Sequence, residues 1–207
     1  MNIAIGTLLS CRRQRRQRGF TLWEILVVLA IIGLVVAIGF PTLRRSLVRA
    51  RLLSQANVIK QAVAVARVAA LKQSHGVAVR FLDSNAEQQG AEVVAWVDAD
   101  ANGSYDPPSE SSVGRWPVRE HILLKPDPDN PLYMLGGGSR GIIFLGNGSA
   151  FVRAGSSAGV GQGAVIVSDR YQNDVRLLVI GGTGTVVQEM RDPDTGAWSR
   201  ELRFWRY

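Results

Sequence analysis

The pattern of apolar residues changes twice along this chain, and its first part is an unbroken apolar run. From Phe20 to Phe40, Glu24 is the only ionisable residue. A helix over these residues spans about 31 Å at 1.5 Å per residue, which is enough for the hydrocarbon core of a bilayer. The run is longer than the apolar region of a secretory signal peptide, and no small-x-small cleavage site follows it. The sequence therefore predicts a transmembrane helix over residues 20–40.

Residues 41–75 have apolar residues at every third or fourth position, which is typical of an amphipathic helix. The apolar side comprises Leu43, Leu47, Ala50, Ala56, Ile59, Val63, Ala66 and Ala70. The polar side comprises Arg44, Arg51, Lys60, Gln61, Arg67 and Lys72. The His75-Gly76 pair favours a helix end, since glycine readily adopts the left-handed conformation found there. We expect one long helix, of which the first half is transmembrane and the second half is amphipathic.

After Gly76 the apolar residues alternate with polar ones and β-branched residues become frequent, which predicts strands. The predicted strands are Val77–Leu82, Ala91–Val97, Val118–Leu124, Gly141–Leu145, Ala150–Arg153, Ala164–Ser168, Val175–Ile180, Thr185–Arg191 and Trp198–Trp205. Gly146-Asn147-Gly148 favours a tight hairpin, and residues 192–196 favour a longer one. The fold class is therefore α+β, with the amphipathic half of the helix packed on a largely antiparallel sheet in residues 76–207.

The positive charge of the chain is concentrated before the apolar run. The formal net charge is +7, from 24 Lys and Arg against 17 Asp and Glu. Five arginines lie close together there: Arg12, Arg13, Arg15, Arg16 and Arg18. Without residues 1–19, 19 basic and 17 acidic residues remain and the net charge falls to +2. The rest of the chain thus lacks the strongly basic character of a general nucleic-acid binder.

A short motif joins the basic segment to the apolar run: Arg18-Gly19-Phe20-Thr21-Leu22-Trp23-Glu24. A carboxylate inside a membrane span is unfavourable, by about 2.5–3.5 kcal/mol at the centre, so it usually has a partner. A basic leader, this motif and the long apolar span together resemble the prepilin signal of type IV pilins and type II secretion pseudopilins. The resemblance is strongest over residues 12–45. Trp23 departs from it, because the family usually has Leu or Ile there.

The resemblance implies a processing site and an assembly site. Prepilin peptidase would cut between Gly19 and Phe20 and methylate the new amino group of Phe20. Glu24 and Thr21 would serve assembly with other subunits, as would Pro41, where many pilins carry a proline that loosens the helix. We therefore expect a leader peptide at residues 1–19.

The whole pattern is similar to the GspH/FimT family of minor pilins and pseudopilins. This resemblance implies a structural subunit that helps to initiate or cap a type IV pilus or a type II secretion pseudopilus. Its partners would be other pilin-like subunits, prepilin peptidase and the bacterial inner membrane. The chain would cross that membrane once, with residues 76–207 as a periplasmic domain, and would be incorporated into a filament.

Residues 98–106 carry oxygen-bearing side chains at alternate positions, as calcium-binding loops do. The candidate calcium ligands are Asp98, Asp100, Asn102 and Asp106. The acidic residue expected at the twelfth position is displaced by one, because Ser109 stands there and Glu110 follows. Asp, Asn and Gly are also common in plain turns. The sequence leaves two interpretations open. The segment is either the calcium site of a membrane-anchored periplasmic domain or a turn that binds no ligand.

The C-terminal residues 198–207 alternate basic and aromatic side chains. The candidate contacts with nucleic acid are Arg200, Arg203 and Arg206. Arginines that meet phosphates and aromatic rings that stack on bases would suit a filament tip that captures DNA for uptake. A final strand with buried aromatic residues and solvated arginines explains the same pattern and is the interpretation that the small net charge favours.

The sequence contains no recognisable catalytic motif. His75 and His121 lack the spacing of metal ligands, and there is no phosphate-binding loop or dinucleotide fingerprint. We therefore expect a protein that is not an enzyme. We also expect no cofactor other than the calcium ion considered for residues 98–106.

Overall fold

The computed structural model describes residues 20–73, 75–82, 91–136, 139–153, 157–192 and 194–200. The predicted leader with Gly19, and Arg203 and Arg206 near the other end, lie outside the described residues. The chain divides into two compact units, Met1–Leu43 and Arg44–Tyr207.

Helix α1 comprises Leu22–Lys72 and contributes to both units. Its segment Leu22–Phe40 is long and apolar enough to cross a membrane, and none of it is buried. Apart from the adjoining residues and the helix's own backbone, no described atom lies within 4 Å of a Cβ placed on Gly33 or Gly39, so even the glycines of this segment face open space. The first unit therefore presents an apolar helix whose side chains have no cover in the described part of the chain.

In the second unit, α1 buries a stripe of apolar side chains. At most 1% of each of these residues is exposed: Leu52, Ala56, Ile59, Ala62, Val63, Ala66 and Ala70. The prediction was wrong for Leu43, Leu47 and Ala50. Leu43 and Leu47 are 59% and 49% exposed and Ala50 is exposed as well, because full burial of the stripe begins only at Leu52. The helix ends at Lys72, and Gly76 starts a strand in register with Asp98, so its predicted role as a left-handed helix cap was also wrong.

Eleven strands are found among the described residues. They are β1 Gly76–Leu82, β2 Glu92–Asp98, β3 Ser112–Pro117, β4 Ile122–Pro126, β5 Tyr133–Met134, β6 Arg140–Phe144, β7 Ala150–Phe151, β8 Gln162–Asp169, β9 Asp174–Ile180, β10 Thr185–Arg191 and β11 Trp198–Ser199. The first sheet has the order β3-β2-β1-β6-β5, with β7 also paired to β6. The second has the order β11-β10-β9-β8-β4. Neighbouring strands are antiparallel, so the α+β fold is confirmed, but the one covering sheet that we predicted is two sheets.

The two faces of the first sheet are buried in different clusters. Val79 and Ala95, which are register partners in β1 and β2, belong to the main core together with the helix stripe. Ala78 and Trp96, the adjacent pair, belong to a smaller cluster that also contains Leu135. Because side chains alternate between the faces of a strand, this arrangement buries both faces and leaves β2 buried from Val93 to Asp98.

The connections between strands follow the predicted turn chemistry in part. The hairpin at residues 146–148 is confirmed, since Leu145 N–H donates to the Ser149 carbonyl and Gly148 has a φ of +80°. The predicted strand Val118–Leu124 was wrong, because β3 ends at Pro117 and β4 begins at Ile122. His121, with a φ of +71°, lies in the turn between them. Strand β3 and the short strand β5 were not predicted.

We expect Ile59→Ala to lower the free energy of unfolding by about 2–5 kcal/mol, because Ile59 is fully buried and the change leaves a cavity. Val65→Ala on the same helix is the matched control. Val65 is 47% exposed, so its truncation should change the stability by about 0.5 kcal/mol or less. Urea unfolding of the detergent-solubilised chain, followed by tryptophan fluorescence, measures both. Equal effects of the two substitutions would contradict the packing described here.

Candidate processing and assembly site

The start of α1 is closed by reciprocal hydrogen bonds between Thr21 and Glu24. The Thr21 backbone N–H and hydroxyl donate to Glu24 Oε2 at 3.0 and 3.1 Å. The Glu24 backbone N–H donates to the Thr21 hydroxyl oxygen at 3.2 Å. This is a capping box, in which Thr21 precedes the first helical residue and Glu24 is the third. The box satisfies backbone donors that the first turn of a helix otherwise leaves unpaired.

The charge of Glu24 is also well placed with respect to the helix dipole. A negative side chain in the first turn interacts favourably with the partial positive charge of the helix N-terminus. Both hydrogen bonds from Thr21 end on Oε2, and within the described residues Oε1 has no hydrogen-bond partner. The surrounding apolar side chains are exposed, Phe20 by 82% and Trp23 by 70%. The site is therefore a carboxylate with one free oxygen at the start of an uncovered apolar helix.

Pro41, the third predicted assembly residue, lies inside α1, and the helix continues through it. Proline has no backbone N–H, so the helix lacks one hydrogen bond at this position, the bond that would join residue 41 to the carbonyl of residue 37.

A comparison with protein-family profiles matches residues 14–40 to the prokaryotic N-terminal methylation motif. The match includes Gly19, Phe20, Thr21 and Glu24, together with the apolar segment of α1. It supports a type IV pilin-like class of protein that is processed by prepilin peptidase and anchored in a membrane. Comparisons with curated protein sequences and with solved structures found no match.

The acidic residues after β2 converge in space. Asp98, Asp100 and Glu110 each offer a carboxylate oxygen, and these oxygens lie within 4.8 Å of one another. Glu110 is held by the backbone, because its two oxygens accept the N–H groups of Ala99 and Asp106 at 3.0 Å each. Burial, and the negative charges of Glu110 and Asp100, raise the pKa of Asp98 above its ordinary value. The arrangement concentrates negative charge at the end of β2.

The other two predicted calcium ligands are placed differently. The Asn102 side-chain amide donates to Asp100 Oδ2 at 2.6 Å and to Asp106 Oδ2 at 2.9 Å. The Asn102 side-chain oxygen Oδ1 accepts the backbone N–H of Ser104 at 2.5 Å. Asn102 therefore orients Asp100 and links it to Asp106, which is exposed.

The described part of the C-terminal segment is tied to the second sheet. Arg200 Nε donates to Glu189 Oε1 at 3.3 Å, and Glu189 also pairs with Arg176. The Arg176 guanidinium lies over the ring of Trp198, 4.5 Å from its centroid. These contacts agree with a final strand that packs on its neighbour, and they engage the charge of Arg200 within the chain.

Sequence reasoning missed two features of these sites. The Thr-x-x-Glu spelling of a capping box is visible at residues 21–24, but we read Thr21 only as part of the prepilin motif. Glu110 was set aside because it falls one residue outside the spacing of helix-flanked calcium loops. Its convergence with Asp98 depends on how the loop closes, which a linear spacing does not describe.

We expect Gly19→Leu to leave the precursor uncut. The resemblance places glycine, which has no Cβ, at the cleavage site, and leucine would add a bulky side chain there. The matched control is Gly33→Leu, since a Cβ at Gly33 meets no atom within 4 Å. Intact-mass analysis of chains expressed with a prepilin peptidase should show residues 1–19 removed from the wild type and from Gly33→Leu only. A wild-type chain that keeps residues 1–19 would contradict the assignment.

Proposed function

We propose that this chain is a minor pilin or pseudopilin, similar to the GspH/FimT family, that helps to initiate or cap a type IV pilus or a type II secretion pseudopilus. Prepilin peptidase cleaves it before Phe20 and methylates that residue. The span holds it in the bacterial inner membrane, and the β-rich domain lies in the periplasm. In this proposal the chain is the substrate of the peptidase and is not itself an enzyme.

The observation that carries the proposal is the combination of an uncovered apolar helix with a matched methylation motif. The segment Leu22–Phe40 is entirely exposed in the single chain. Exposed apolar surface of this extent marks a membrane or protein interaction site. In a pilin-like subunit the same surface would contact lipid before assembly and the helices of neighbouring subunits afterwards. The β-rich domain has its own core and so needs no contribution from this segment.

Glu24 provides the specific contact in this assembly. Cleavage before Phe20 creates an amino group about 6 Å from Glu24 along the helix axis, at 1.5 Å per residue. In the single chain, Oε2 is engaged by Thr21 and Oε1 is free among the described residues. A neighbouring subunit that is shifted along the filament would place its own amino group beside Oε1. In an apolar environment such a pair offsets much of the unfavourable burial of both charges, whereas an unpaired charge is strongly destabilising.

Two substitutions of Glu24 separate charge pairing from helix capping. Glu24→Ala removes both, whereas Glu24→Gln keeps an oxygen that can accept the Thr21 bonds but removes the charge. We expect both variants to be cleaved and inserted in the membrane, and both to lose co-purification with the other pilin-like subunits. The measurement is affinity purification of the tagged chain from cells that express the complete filament system, with mass spectrometry of the subunits recovered.

Glu120→Gln is the matched control, since Glu120 is an exposed acid in the second unit. It should co-purify with the same subunits as the wild type. Normal recovery of subunits with Glu24→Gln but not with Glu24→Ala would show that Glu24 acts by capping, and would overturn the charge-pairing mechanism. A processed wild-type chain that recovers no pilin-like subunit would overturn the proposed function.

A further inference from the structure

Asp98 carries a buried oxygen that has no hydrogen-bond partner among the described residues. Asp98 is 2% exposed, and the oxygen without a partner is its Oδ1. Its other oxygen, Oδ2, accepts the backbone N–H of Gly103 at 3.1 Å. A buried carboxylate oxygen without a partner is unfavourable, and buried polar atoms in folded proteins nearly always have one. The described residues therefore leave one oxygen of Asp98 without the hydrogen bond that a buried carboxylate needs.

The surroundings of Asp98 make this requirement larger. Asp100 and Glu110 bring their carboxylate oxygens within 4.8 Å of that of Asp98 and of each other. Glu110 is 5% exposed, and two backbone N–H groups hold it in place, so it cannot easily turn away. Like charges at this separation repel each other strongly when water is excluded. Among the described residues, no Lys or Arg forms an ion pair with any of these three carboxylates.

Three carboxylates in one cluster suit one particular kind of ion. Calcium binds six to eight oxygen atoms at about 2.3–2.6 Å, with tolerance for irregular geometry. Two oxygens on opposite sides of such an ion are therefore about 4.6–5.2 Å apart. Magnesium requires oxygens at about 2.0–2.1 Å in a nearly regular octahedron and usually keeps several water molecules, so three protein carboxylates suit it less well than calcium. We propose that Asp98, Asp100 and Glu110 bind a calcium ion at the end of β2.

The rest of the loop supports this ligand set. Asn102 donates to Asp100 Oδ2 and so fixes the orientation of the most exposed of the three carboxylates. The loop also packs against its surroundings: the Tyr105 ring lies 5.9 Å from that of Trp96, and a Cβ placed on Gly103 would lie 3.0 Å from the backbone nitrogen of Gly136. An ion bound to Asp98 and Glu110 therefore joins the two ends of residues 98–110 across a loop that is already packed on the sheet. Backbone carbonyls and water molecules complete its coordination.

Terbium luminescence tests the proposal directly. Terbium replaces calcium at oxygen sites and luminesces when a nearby aromatic ring is excited, and Tyr105 lies in the loop itself. We expect the full chain in detergent micelles to sensitise terbium at one site per chain. Calcium should displace the terbium at about 1 mM or below, and magnesium at the same concentration should not. Calcium at 100 times its dissociation constant should also shift the folding equilibrium about 100-fold, seen as a rise in Tm.

Asp98→Asn and Glu110→Gln should each weaken calcium binding at least tenfold, since each removes one charge and keeps the size of the side chain. Asp100→Asn serves as a third variant, because Asp100 is exposed and its substitution leaves the buried groups unchanged. The matched control is Asp129→Asn, an exposed acid in another loop, which should bind as the wild type does. Circular dichroism of every variant checks the fold.

Three outcomes would overturn the proposal. The first is a folded wild-type chain that binds no calcium at 10 mM, which would mean that a proton on Asp98 meets the requirement instead. The second is calcium binding that the substitutions at Asp98, Asp100 and Glu110 leave unchanged. The third is displacement of terbium by magnesium as readily as by calcium. The site lies wholly in the second unit, so none of these results depends on whether the chain assembles into a filament.

Discussion

Close packing of one helix face against two sheets is the constraint on which the β-rich domain depends. The stripe of α1 belongs to a single core cluster with residues of both sheets, among them Val79 of the first and Leu177 of the second. Four of its buried residues are alanines, at positions 56, 62, 66 and 70. Small side chains let the strands approach the helix backbone closely. Closely packed protein interiors tolerate little change in side-chain volume. The helix stripe therefore holds both sheets in one core.

Local sequence patterns predicted the elements of this core better than their arrangement. A period of 3.6 residues identified the stripe from Ala56 to Ala70, and a period of two identified most strands. Neither period states which strands pair, so the division into two sheets was not predictable. The break at residues 118–121 has a similar cause. There Gln55, a buried residue of α1, donates to the carbonyl of Pro117 and accepts the N–H of Arg119 at 3.5 and 3.4 Å. A side chain more than 60 residues away thus helps to satisfy the backbone between β3 and β4.

The candidate sites divide in the same way. The N-terminal site could be read from the sequence because its parts are neighbours along the chain, from Gly19 to Glu24. A capping box and a prepilin motif are both short sequence motifs whose residues lie close together along the chain. The acidic cluster was read only in part, because Asp98 ends a strand whereas Glu110 lies beyond a loop. Whether two such residues meet depends on the path of the chain between them, and here hydrogen bonds from Ala99 and Asp106 to Glu110 define that path.

The two sites share an electrostatic feature that connects the proposals made for them. In each, one carboxylate oxygen accepts a hydrogen bond and the other accepts none from the described residues: Glu24 is bonded through Oε2 to Thr21, and Asp98 through Oδ2 to Gly103. A free oxygen has little effect in water, but it becomes unfavourable when lipid or protein covers it. For Glu24 that cover would come from the membrane and neighbouring subunits, which is why its partner is proposed to be the amino group of another chain. For Asp98 the cover is the domain's own fold, so its partner has to be small enough to enter a closed loop, as a metal ion is.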